Sequence, residues 1–238
     1  MSVLQKLHSA AETESDLALV TLAIAAIFFC MRSCEYLKTP RNEEKRTKLL
    51  RVKNFRFFTK SGEMIPQSSS TLTAADCVCV TFENQKNGEK HESVTIHNTD
   101  DKVLCPVISW ASTVKRILSY PGASCDSPIN TYVAGKKNFQ FTSNNMIAAL
   151  RTSVQSMPEA NLGFVASEIG THSIRSGGAM AMCLIKESDF MIKLLGRWKS
   201  DSFLKYIRKQ IKQLSQHISK RMLTVEHFNH ITAAPLQN

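Results

Sequence analysis

At 238 residues, with 43% hydrophobic and 21% charged positions, the chain has the composition of an ordinary soluble globular protein with a sizeable core. A net charge of +10 and a pI near 9.3 call for an acidic partner, most commonly nucleic acid. The seven cysteines are odd in number, scattered and without a Cys-x-x-Cys pair, which argues against a disulfide framework or a zinc site and for reduced thiols in the nucleus or cytoplasm.

In chain order, the first strong element is the run Leu17 to Met31, fifteen uncharged and mostly apolar residues. It is shorter than the ~20 residues that span a bilayer. It follows Glu12, Glu14 and Asp16 rather than a basic segment, so it is neither a membrane anchor nor a signal peptide. A buried helix capped near Thr13 or Ser15 is expected, delivering Arg32 and Glu35 at its C-terminal end. A charged loop follows at 41–48, then a strand from Leu49 to Phe57 and a polar loop over 61–74.

Two further strands are expected at Cys77–Phe82 and Glu92–Ile96, joined by Asn87-Gly88, the strongest short hairpin signal. Pro106–Tyr120 reads as a helix, 121–128 as a surface loop, and Ser143–Met157 as a helix stopped by Pro158. A helix over Thr171–Lys186, with Thr171 as N-cap, precedes a short one from Ser188 to Leu195. Ser200 or Asp201 caps the next, which carries Tyr206. Ile207, Ile211, Leu214, Ile218 and Met222 then recur at helical spacing, making an amphipathic last helix before a frayed tail from about residue 229. The expected fold class is mostly α with one small antiparallel β-sheet (α+β), in a single domain over residues 1–228.

The chemistry is concentrated in Thr171-His-Ser-Ile-Arg175, Gly196-Arg-Trp-Lys199 and Tyr206. His172 and Arg175, three apart, share a helix face near an N-terminus, where free N–H groups and the helix dipole favour an anion. A cation, an imidazole and a tyrosine hydroxyl around a phosphate are equipment for attacking a phosphodiester. Charge is distributed to match. Residues 36–60 carry nine Lys/Arg against two acids, and 186–221 carry ten against three; together that is +14 of a total of +10, so the remainder is net acidic.

These motifs resemble the tyrosine recombinase (phage integrase-like) family. Its Arg-x-x-Glu motif is matched by Arg32-Ser-Cys-Glu35, its hairpin lysine by Lys86 between Thr81 and Lys90, and its His-x-x-Arg by His172 to Arg175. Trp198 stands where the family has His or Trp, and Tyr206 follows eight residues later, one fewer than in bacterial members. The Gly-Arg-Trp-Lys-Ser-Asp segment is similar to that of eukaryotic mobile-element recombinases of the DIRS or Crypton sort. The resemblance implies a catalytic domain lacking the family's N-terminal DNA-clamping domain, and DNA cleavage and rejoining through a 3′-phosphotyrosyl intermediate.

The implied roles are Tyr206 as nucleophile, Arg32 and Arg175 on the scissile phosphate, and Lys86 as general acid with Lys90 as its rival. His172 would assist proton transfer, Trp198 would donate its indole N–H, and Glu35 would support Arg32 and His172. Lys38, Arg41, Arg197 and Lys199 are candidate contacts to DNA phosphates. No metal or other cofactor is implied. The partners are double-stranded DNA and further copies of the chain in a tetrameric synapse, with no membrane. Two alternatives stand beside strand transfer: a domesticated or truncated DNA-binding module, and a type IB topoisomerase.

Overall fold

The structure, a computed structural model, describes residues 1–39, 48–84, 90–135, 137–158 and 162–207. Arg41, Lys86, the Asn87-Gly88 turn and the apolar stripe at Ile211, Leu214, Ile218 and Met222 lie outside them. The described elements in order are α1 (Ser2–Ser9), α2 (Glu14–Phe28), α3 (Ser33–Tyr36), β1 (Phe55–Phe58), β2 (Met64–Ile65), β3 (Cys77–Asn84), β4 (Lys90–His97), α4 (Pro106–Leu118), β5 (Thr131–Ala134), β6 (Lys137–Gln140), α5 (Ser143–Gln155), α6 (Ser173–Leu184) and α7 (Asp189–Gly196), with short 3-10 turns between them. The fold is mostly α with a small antiparallel sheet, as the sequence indicates.

Helix α2 organises the rest. Val20, Leu22, Ala23, Ile24, Ala25 and Ala26 are each at most 1% exposed. A helix apolar on all sides has to be surrounded, and α1, α4 and α6 pack around it. Its start is fixed by a capping box: Thr13 Oγ1 accepts from the Asp16 backbone N–H and Asp16 accepts from the Thr13 N–H, both at 3.1 Å. The Thr13 hydroxyl, donating to Asp16 Oδ2 at 2.7 Å, and then the Thr13 and Glu12 backbone N–H groups hold the Asp16 carboxyl below the usual range. Pro106 opens α4, where a missing N–H costs nothing. Trp110 of α4 meets Phe29 at 6.4 Å and Phe55 at 4.6 Å, tying α2 to the sheet.

The sheet order is β2-β1-β3-β4, antiparallel throughout. Phe55 pairs with Val80, and Val80 with Val94; the last described pair of β3 and β4 is Asn84 with Lys90. The expected strand at 49–57 is shorter and later, because residues 52–54 form a 3-10 turn. The expected loop at 61–74 contains β2 and a second 3-10 turn. A second sheet, the β5–β6 hairpin, joins the expected one; Tyr132 stacks on Phe141 at 4.2 Å there.

Candidate active site

The site is assembled where three segments meet the C-terminal end of α2. That helix stops at Phe28, and Cys30 takes a left-handed conformation (φ 44°). Arg32 and Glu35 therefore do not ride on α2 itself. Arg32 is the N-cap of the separate single turn α3, and its backbone N–H donates to Glu35 Oε2 at 2.8 Å. Helix α6 packs on the same end of α2 through Gly177 and Gly178. A Cβ on Gly178 would lie 2.4 Å from the Ile27 carbonyl oxygen and 2.6 Å from Cys30 Sγ, so only glycine permits this approach. Thr171 does not cap α6; His172 occupies the N-cap position and no side chain closes that cap.

The close packing explains Arg175. Its guanidinium donates through Nη1 to the Cys30 carbonyl and through Nη2 to the Gly196 carbonyl at 2.7 Å, and sits 4.0 Å above the Trp198 ring. The side chain is 2% exposed, so it is turned into the protein rather than outward toward a phosphate. Burial first, and then the neighbouring Arg32 cation, pull its pKa down to about 10, which leaves it charged at neutral pH. Burial likewise pushes the Cys30 thiol up to about 11, making it an unreactive packing residue.

Arg197 corrects the sequence reading more sharply. Expected among the DNA-phosphate contacts, its side chain is fully buried. Nη2 pairs with Glu35 Oε2 at 2.8 Å, Nη1 donates to the Phe29 carbonyl at 2.9 Å, and the guanidinium lies 3.7 Å from the Phe82 ring centre. The cause is backbone geometry: Arg197 ends α7 in the left-handed region (φ 56°, ψ 48°), which turns its side chain inward. Glu35, 1% exposed, thus joins Arg32 and Arg197.

Trp198 is stacked over Gly196, where any Cβ would lie 1.5 Å from the indole. Its ring meets Phe203 at 6.0 Å and Tyr206 at 6.1 Å. Tyr206 closes a 3-10 turn, Asp201–Tyr206, rather than riding on an α-helix, and it is half-buried. The exposed His172 ring faces it at 6.5 Å with 27° between planes. The structure therefore brings together Arg32, Glu35, His172, Arg175, Trp198 and Tyr206, from segments far apart in the chain. Lys38 and Lys199 are exposed, as phosphate contacts require, but Lys38 joins α3 to the start of α5 through a bridge to Thr142.

Two open recesses, of about 640 and 750 Å³, lie elsewhere; neither is lined by His172, Arg175, Trp198 or Tyr206. Sequence reasoning missed Arg197 as part of the buried network; the one signal was a second cation beside Trp198 with few acids nearby to pair it.

No family model and no curated protein matches the chain. Among solved structures, Flpe in a Holliday-junction complex aligns at TM-score 0.47 and 11% identity, covering 88% of this chain and 44% of that one. A Flpe mutant on a Holliday junction gives 0.48 and 10%, over 87% and 44%. The Tn1549 transposon integrase in complex with a circular intermediate DNA gives 0.46 and 9%, over 93% and 63%. This chain thus spans less than half of the Flpe chains. At these values the likeness assigns no activity.

Proposed function

We propose that this chain cleaves and rejoins double-stranded DNA through a covalent bond between Tyr206 and a 3′-phosphate. The observation that carries the reading is a continuous cluster in which the His172 and Trp198 rings face Tyr206, Arg175 stacks on Trp198, and the Arg32–Glu35 pair is tied to the same segment through Arg197. In the reaction the Tyr206 oxygen attacks phosphorus as its proton leaves, with His172 the nearest candidate to assist. The phosphorus–O5′ bond breaks, and the leaving oxygen takes a proton from Lys86, or from Lys90 on the same hairpin. Arg32, 17% exposed, contacts a non-bridging oxygen. Arg175 holds positive charge behind that phosphate, where a preorganised cation lowers the cost of the developing charge.

Lys38, Arg41 and Lys199 serve as backbone-phosphate contacts in this reading, and assembly into a tetrameric synapse on DNA accompanies it. A second reading has one observation in its favour: the inward-turned Arg175 suits a module that holds DNA without cutting it. One experiment separates the two. On a nicked duplex that releases its 5′ fragment, the wild-type chain forms a protein–DNA adduct stable to denaturation, and Tyr206→Phe binds the duplex but forms none. An undiminished adduct in Tyr206→Phe removes Tyr206 as nucleophile; DNA binding without adduct in wild type selects the binding module.

A further inference from the structure

We infer that Arg197 is a positioning residue for the chemical step, acting through Glu35 to fix the guanidinium of Arg32. The inference rests on the strand-cleavage reading above. Glu35 is the junction: its carboxylate accepts from the Arg32 backbone N–H at 2.8 Å, from Arg32 Nη1 at 3.0 Å and from Arg197 Nη2 at 2.8 Å. Without Arg197 the remaining pair would be a partly exposed i,i+3 contact, a type that holds a side chain only weakly. Arg197 changes its character because it is itself immobile. Its side chain is fully buried, anchored by the Phe29 carbonyl and packed on Phe82.

The backbone supports the same conclusion. A non-glycine residue in the left-handed region is uncommon and mildly strained, and persists where the surroundings over-determine it. Here that conformation sends a charged side chain into the interior, next to Trp198, which faces Tyr206. Glu35 and Arg197 therefore link the phosphate-facing arginine to the segment that carries the nucleophile. Backbone carbonyls already take the Arg197 Nη1 donors, and the arrangement in which its one carboxylate partner also holds Arg32 is what suits positioning.

The test is a double-mutant cycle between Arg32→Ala and Arg197→Gln, read as single-turnover adduct formation at saturating protein, with duplex affinity and melting temperature measured alongside. Arg197→Gln is expected to slow adduct formation about ten-fold or more while changing DNA affinity less than about two-fold. In the Arg32→Ala background the same substitution should add less than about two-fold, because residues acting as a unit are not additive. Arg197→Lys, which keeps a cation for Glu35, should recover part of the rate. Glu35→Gln repeats the cycle with a near-isosteric change should Arg197→Gln fail to fold.

A wild-type chain that forms no adduct overturns the strand-cleavage reading, and the positioning role with it. A reactive wild type in which the Arg32 and Arg197 effects multiply overturns positioning alone. Unfolding of both Arg197→Gln and Glu35→Gln would make the network a framework element and overturn it equally.

Discussion

Among the described residues two apolar clusters stand out, and they are built on different principles. The larger surrounds α2 and joins it to α4, α5 and the four-stranded sheet, with Trp110, Phe29 and Phe55 at its centre. The smaller has five buried members, Cys30, Ala179, Ile192, Trp198 and Phe203, with Tyr206 and Ile207 against its flank. The first is apolar throughout and fixes the frame by area alone. The second is too small for that; Arg175 and Arg197, reaching through it to carbonyls and Glu35, set its geometry. Groups beside Tyr206 are thus placed by directional bonds, which specify position more narrowly than non-directional burial does.

The comparison can be broken at its strong end first. Trp110→Ala should cost about 3–5 kcal/mol, the usual range for truncating a large core aromatic, and lower the melting temperature of the whole unit. A loss confined to the Tyr206 region would mean that the two clusters are not distinct. Gly178→Ala acts at the seam, forcing α6 away from α2. A cost of about 1–3 kcal/mol is expected, with a larger proportional loss of adduct formation than of stability. An alanine variant with normal melting and normal adduct would show that the close approach is not needed.

The smallest effect lies in the frame. Asn54 Nδ2, at 3.0 Å, and then the Lys53 and Lys48 cations hold the Glu83 carboxyl below the usual range. A carboxyl lowered on folding contributes stability above its unfolded pKa and loses it as pH falls toward its folded one. Unfolding followed from about pH 5 to pH 3 should therefore show a shallower acid loss in Glu83→Gln than in wild type. Identical acid limbs would remove Glu83 as a contributor.

Much of the frame could be read in the sequence because it is periodic or punctuated: the apolar run of α2, Pro106 at the start of α4, Pro158 after α5. The β5–β6 hairpin could not, since Thr131–Ala134 and Lys137–Gln140 are four residues each and too short for alternation to register. At the site, residue types and order were legible, and the structure gathers the described ones. Their orientation was not. Nothing in a basic segment distinguishes Lys199, which is exposed, from Arg197, whose direction depends on one left-handed residue at a helix end. The break at Cys30 was equally silent, so Arg32 was expected on α2 rather than on a turn of its own.

The carbonyls that close α2 have a further consequence, one of timing. Phe29 accepts from a residue 168 positions later and Cys30 from one 145 positions later, while Glu35 waits 162 positions for Arg197. A ribosome adds residues at roughly 5–20 per second, so these groups emerge many seconds before their partners exist. Until α6 and α7 arrive, water must satisfy the end of α2 and the carboxylate of Glu35. The frame can form early in synthesis; the cluster around Tyr206 comes last, and a chain cut short before Arg197 leaves the Glu35 carboxylate without its buried partner.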